Sequence, residues 1–165
     1  MVRTHKHVKV AFLITVAVAL GACGGDDEPR LTKARFIEQG SAICGESSAR
    51  IDSAAQNAFQ EQGKIPTADE ITEFASNTVA PTIEKEVERL SELRPPEEDE
   101  ERIEDILQAG RDGVDRVRQD PTVILSSNDA GFRRYQELSQ AYGLKNCGGG
   151  GDATRAAIEG RTGGG

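Results

Sequence analysis

The sequence predicts an all-α protein, an up-down four-helix bundle with a short fourth helix, one disulfide and disordered termini. Three observations predict it. Apolar residues recur at intervals of three and four through four segments, the spacing of a single buried helix face. Helix-start and helix-stop residues bracket those segments. No stretch alternates apolar and polar residues as a half-buried strand does.

The first helix opens at Thr32, an N-cap whose hydroxyl can take an orphan backbone N–H, with Leu31 and Phe36 placed as a hydrophobic staple. Its stripe runs Phe36, Ile37, Gly40, Ile43, Cys44, Ser47, Ile51, Ala55, Ala58 and Phe59, and Gly63 and Pro66 stop it. The second begins with the capping box Thr67 and Glu70 and carries Ile71, Phe74, Ala75, Thr78, Ile83, Val87, Leu90 and Leu93. Pro81 lies inside it and is expected to kink or break it, because proline has no N–H to donate.

Pro95 and Pro96 end the second helix, and Pro96 suits the first turn of a third. Glu97, Glu98, Asp99, Glu100 and Glu101 then crowd the positive end of that helix dipole, while Arg116 and Arg118 lie near its negative end. Its stripe is Ile103, Ile106, Leu107, Gly110, Val114 and Val117. The fourth helix is capped by Asn128 or Asp129, carries Phe132, Tyr135, Leu138 and Tyr142, and ends with Gly143 in the left-handed position and Leu144 turned back toward Leu138. The domain is thus expected over residues 32–147, with residues 23–31 as a flexible tether and the glycine-rich residues 148–165 as a disordered tail.

The first 22 residues divide as an export signal does. Arg3, Lys6 and Lys9 give a positive leader, and an apolar run from Val10 to Leu20 follows, too short for the roughly 20 residues of a membrane span. The run ends in Leu20-Gly21-Ala22-Cys23, which resembles the lipobox of bacterial lipoproteins: a branched apolar residue, two small residues and the cysteine that takes the lipid. The resemblance implies a signal peptide over residues 1–22 and Cys23 as the lipidated mature N-terminus on the extracytoplasmic face of the cell membrane. Two or more acyl chains, palmitate among them, hold such a protein firmly, whereas one does so only marginally. The competing reading is a simple secretory peptide that leaves Cys23 an ordinary thiol. The count of three cysteines speaks against it, since lipidation of Cys23 leaves Cys44 and Cys147 as one pair in an oxidising compartment.

Loss of residues 1–22 removes three of the 20 Lys and Arg and none of the 28 Asp and Glu, so the mature chain has 17 against 28 and a net charge of -11. Such a chain repels nucleic acid and anionic lipid headgroups, and neither is expected as a ligand. Aromatic residues are only 4% with no Trp, so the core has to be built from Leu, Ile, Val and Ala, and a thin core gains most from a disulfide.

Phe36-Ile37, Ala42-Ile43-Cys44, Pro81-Thr82-Ile83, Leu93-Arg94-Pro95-Pro96, Asp120-Pro121 and the closing Ala141-Tyr142-Gly143-Leu144-Lys145-Asn146-Cys147-Gly148 together resemble small exported helical proteins of actinobacteria, many of them lipoproteins. The resemblance covers roughly residues 30–148. It implies a disulfide-linked helical bundle and no established activity.

The chemistry-bearing residues are few. Both histidines, His5 and His7, and the single Met lie in the leader, so the mature chain lacks the usual general base near neutral pH and the imidazole and thioether ligands of copper or haem. No metal or cofactor is expected. Cys44 and Cys147 as a reactive thiol pair is a weak reading, because they form no Cys-x-x-Cys motif. Carboxylates such as Glu97 to Glu101, or Glu84, Glu88 and Glu92, read as wet helix faces before they read as a hydrolytic pair or a calcium cage.

The expected function is a membrane-anchored, non-enzymatic binding or adaptor module of the cell envelope, whose partner is another envelope protein or a cell-wall component. The alternative is a carrier of an apolar or lipidic ligand between helices, and a carboxylate-based hydrolase comes a distant third. Helices over 32–62, 67–93 and 96–118 measure roughly 46, 40 and 35 Å, against about 21 Å for 129–142. A Cys44–Cys147 bond is then expected to hold the end of the fourth helix level with residue 44. That would leave a notch bounded by Phe36, Ile37, Leu90, Leu93, Ile103 and Ile106 as the candidate binding site, the alternative being that the tether, residues 145–151 or a tilt of the helices closes it.

Overall fold

A computed structural model describes residues 29–60, 65–125, 131–151 and 154–155. The architecture is all-α, an up-down four-helix bundle with a short last helix and one disulfide, and no strand occurs among the described residues. Signal peptide, Cys23 and most of the tether, the caps proposed at Asn128 and Asp129, and residues 156–165 lie outside the described residues.

The first rod is α1, Lys33–Ala55, prolonged by a π turn over Gln56–Gln60. Thr32 caps it as expected, its hydroxyl accepting from the Arg35 N–H, and Leu31 packs against the core while its N–H donates to the Arg94 carbonyl at 2.8 Å. The second rod joins α2, Ala68–Phe74, through a π turn over Ala75–Val79 to α3, Ala80–Ser91. Its capping box is complete: the Thr67 N–H donates to the Glu70 carboxylate at 2.8 Å and the Glu70 N–H to the Thr67 hydroxyl at 3.2 Å. The kink or break expected at Pro81 takes the form of that π turn. The Ala80 N–H reaches back five residues to the Ala75 carbonyl, so the helix is re-registered just before the residue that has no N–H to give.

Pro96 precedes a 3₁₀ turn, Glu97–Asp99, that leads into α4, Glu100–Gln119; acids fill its first turn and Arg116 and Arg118 its last. A second 3₁₀ turn, Pro121–Leu125, packs on α2. The short fourth rod, α5, spans Arg133–Tyr142, starting later than the expected residue 129 and with no side-chain cap. It ends in a Schellman motif, the Leu144 N–H donating to the Ser139 carbonyl at 2.9 Å and the Gly143 N–H to the Gln140 carbonyl at 3.0 Å, with Gly143 at φ +111°.

Neighbouring rods run antiparallel. Gly40 of α1 lies against Leu90 of α3, Gly110 of α4 against Val87 of α3 and Tyr135 of α5, and Gly113 against Phe132. The glycines on α4 let α3 and α5 approach its backbone closely. A T-shaped pair, Phe59 and Phe74 with centroids 5.1 Å apart, closes one end of the core, and Phe36 against Tyr142 at 5.9 Å closes the other.

Beyond the disulfide the Gly151 N–H donates to Asp52 Oδ1 at 2.8 Å and the Thr154 N–H to the same oxygen at 3.0 Å, so residues 148–151 and 154–155 lie as a strap along α1.

Candidate functional site

The notch expected at Phe36, Ile37, Leu90, Leu93, Ile103 and Ile106 is filled by the protein itself. Phe36, Leu90, Ile103 and Ile106 are buried, and Ile37 and Leu93 are half-buried against the core. The reason lies in residues 143–147. The α5 helix does not end level with Cys44; it continues to the Phe36 end of the bundle, where Gly143 reverses the chain. Leu144, Lys145, Asn146 and Cys147 then climb back to Cys44, with the Lys145 N–H donating to the Ser41 hydroxyl at 3.1 Å. The hook drops Leu144 over Gly40, where an added Cβ would meet Leu144 Cδ2 at 2.6 Å and Leu90 Cδ2 at 3.2 Å. Tyr142 packs edge-on to Phe36, donates its hydroxyl proton to Asp99 Oδ2 at 2.8 Å and takes the Lys33 ammonium over its ring at 4.5 Å. Tyr142 thereby holds the Asp99 carboxyl below its ordinary range.

The structure instead draws attention to a residue that sequence reasoning passed over. Glu86, on α3, is wholly shielded from solvent. Its Oε1 accepts from the Tyr135 hydroxyl of α5 at 2.9 Å and from the Gly148 N–H of the strap at 3.0 Å. Gly148, at φ +85°, presents that N–H in a conformation open to glycine and rare for other residues. Oε2 has no hydrogen-bond partner among the described residues, Ser47 of α1 being the polar side chain beside the carboxyl. Removal from water disfavours the carboxylate more than these bonds favour it, and the pKa is pushed up to about 7. The same burial and the neighbouring carboxyl push the Tyr135 hydroxyl upward.

The disulfide stands beside this carboxyl. Cys44, Cys147 and Glu86 bring one sulfur or oxygen each to within 4.8 Å of one another. Two sulfurs joined to each other offer no thiolate charge, so the trio as it stands is a structural joint and not a metal cradle.

On the outer side of this joint, α1 and α3 leave a groove of about 430 Å³ lined by Glu46, Ser47, Arg50, Asn77, Thr78, Pro81, Thr82, Lys85, Glu86 and Arg89. Glu46 and Arg89 pair across it at 2.7 Å. Glu84, Glu88 and Glu92 point to solvent, as their spacing suggested, and Glu84 forms a two-pronged pair with Arg118 at 2.9 and 2.6 Å. A signal for Glu86 was present: it falls three residues after Ile83 and four before Leu90, within the apolar stripe and not opposite it. No helix among the described residues is long and apolar enough to cross a membrane. Comparison with protein families, with curated proteins and with solved structures gave no match to this chain.

Proposed function

We propose that the chain is a lipid-anchored, extracytoplasmic binding or adaptor module of the cell envelope, without catalytic activity, and that its partner docks on the α1–α3 groove. The partner is another envelope protein or a cell-wall component. The observation that carries this reading is the contrast between a filled core and an open groove lined by charged and hydroxyl side chains. A carrier of apolar ligands needs an enclosed apolar cavity. Here the apolar positions expected to frame one are packed under Tyr142 and Leu144, and the groove of about 430 Å³ is walled by charged and hydroxyl side chains. A carboxylate hydrolase needs two carboxyls facing one substrate bond, whereas Glu86 is tied to Tyr135 and Gly148, and Asp99 to Tyr142. The sequence Leu20-Gly21-Ala22-Cys23 supports the anchor.

Two measurements test the reading in native membranes. Cys23→Ser should shift the protein to the soluble fraction or leave the leader uncleaved; a cleaved variant held in the membrane as firmly as wild type would refute the anchor. A photo-crosslinking residue at Asn77, on the groove, should give a discrete adduct that is lost on Arg50→Glu, and the same residue at the exposed Glu137 of α5 should not. Equal labelling from both positions would remove the groove as the docking face.

A further inference from the structure

The α1–α3 groove has an uneven charge. Its cations are Arg50, Lys85 and Arg89, and its acids are Glu46 and Glu86. Glu46 is committed to Arg89, and Glu86 turns one oxygen inward to Tyr135 and Gly148. The acids nearest in sequence are committed elsewhere too, Asp52 to the strap and Glu84 to Arg118. Arg50 and Lys85, both exposed, form no salt bridge within 4.0 Å among the described residues. Lys85 feels the neighbouring Glu84 carboxylate only through space, that acid being bonded to Arg118, and two cations outside any salt bridge on one concave surface are unexpected on a chain of net charge -8, where carboxylates are plentiful.

The remaining lining is hydroxyl and amide: Ser47, Asn77, Thr78 and Thr82, with Pro81 and no aromatic ring. A volume of about 430 Å³ lies in the range of small-molecule sites. A planar guanidinium offers two parallel N–H donors to an oxyanion, and an ammonium adds a movable point charge. A ligand satisfying all of this has one anionic group and several hydroxyls, and needs no flat apolar face.

We infer that the groove binds a small oxyanion-bearing ligand, a phosphate or carboxylate on a compact hydroxylated body, with Arg50 and Lys85 as counter-charges and Ser47, Thr78 and Thr82 facing its hydroxyls. This rests on the binding-module reading and supplies its ligand class. The anion has two sources, a soluble phosphate or uronate and, where the local cations outweigh the repulsion from the chain's net charge of -8, the headgroup of an anionic lipid in the membrane that carries the anchor.

The test uses the full lipidated chain in phosphatidylcholine nanodiscs, titrated calorimetrically with glycerol 3-phosphate, glucuronate and uncharged glycerol. A second arm measures capture of the Cys23→Ser chain by phosphatidylglycerol and by phosphatidylcholine vesicles. Saturable binding of either soluble anion, weakened at least tenfold in the Arg50→Gln/Lys85→Gln variant and by added salt and absent for glycerol, supports a soluble ligand. Capture by phosphatidylglycerol vesicles alone, lost in the same variant, supports the headgroup. Both substituted side chains are exposed, and an unchanged circular dichroism spectrum confirms the fold. Binding that ignores the double substitution, or no binding in either arm, overturns the proposal. A persisting Asn77 adduct would then leave the module reading standing, and its absence would end both.

Discussion

Glu86 makes stability fall as pH rises, opposite to the usual behaviour of a carboxylate. Its folded-state pKa, about 7, lies above its ordinary value of 4.5 because burial has stripped water from it. Below pH 4.5 the acid is protonated in both folded and unfolded chains and contributes no difference. Between 4.5 and 7 the unfolded chain releases the proton and the folded chain keeps it, so each pH unit favours unfolding by about 1.4 kcal/mol. The rise from 4.5 to about 7 spans 2.5 units, which amounts to about 3 kcal/mol, complete above pH 7. Glu84 and Asp99, held low chiefly by Arg118 and Tyr142, act in the other sense: their contribution is lost as pH falls through their folded pKa values, which lie below 4.5 and 3.8. Their window therefore lies below that of Glu86.

The assay is urea unfolding of the disulfide-intact protein at pH 4, 5, 6, 7 and 8, wild type against Glu86→Gln. A glutamine keeps an acceptor oxygen for the Tyr135 hydroxyl and the Gly148 N–H and carries no ionisable proton. The wild type should lose about 3 kcal/mol relative to the variant between pH 4.5 and 7, and the two profiles should run parallel above that. Parallel profiles through the whole range would show that Glu86 ionises in the fold as it does in water, and the desolvation argument would fail.

Two further outcomes test the packing. In Gly113→Ala a Cβ meets Phe132 Cδ1 at 2.6 Å and the Gly131 carbonyl at 2.9 Å, and a backbone oxygen cannot swing aside, so calorimetry should show a lower Tm and a loss of about 1–3 kcal/mol. Gly45→Ala, on α1 with nothing within 4 Å, should instead gain roughly 1 kcal/mol from helix propensity alone. Replacing Cys44 and Cys147 by Ala opens a loop closed over a separation of 103 residues and should cost up to about 4.7 kcal/mol in denaturant unfolding; an unchanged midpoint would show that the pair contributes nothing to stability.

The local rules were legible in the sequence because each is settled within a few residues. Thr32, the Thr67 and Glu70 box and Gly143 all sit at the ends they mark. Cys44 and Cys147 pair, as their number suggested. The π turn was not legible, since proline announces a lost hydrogen bond without saying how the preceding turn accommodates it. The notch failed for a related reason. Its placement assumed that Cys147 marks the end of α5, and the hook through Gly143, Asn146 and Gly148, three residues with left-handed φ, allows the helix to run on and the cysteine to return. Glu86 and Asp99 were lost among exposed acids because charge at helical spacing was read before the position of each acid against the apolar stripe.

The buried acid, the disulfide and the strap act on one place. Cys44 and Ser47 belong to α1, Glu86 to α3, Tyr135 to α5, and Gly148 follows the second cysteine directly. The helices that form the walls of the groove are thus tied together behind its floor by a covalent bond and two hydrogen bonds to one carboxyl oxygen. A thin core of Ile, Val and Leu gives non-directional cohesion and would let α1 and α3 slide by fractions of a turn. Directional links remove that freedom, and they do so beside the Ser47 and Thr82 face of the groove. Burying this carboxyl costs roughly 3 kcal/mol at neutral pH, but a Leu at position 86 would leave the Tyr135 hydroxyl and the Gly148 N–H buried without an acceptor. Glu86 thereby joins α3 to α5 and to the residue that follows Cys147, behind the groove whose two walls carry Arg50 and Lys85.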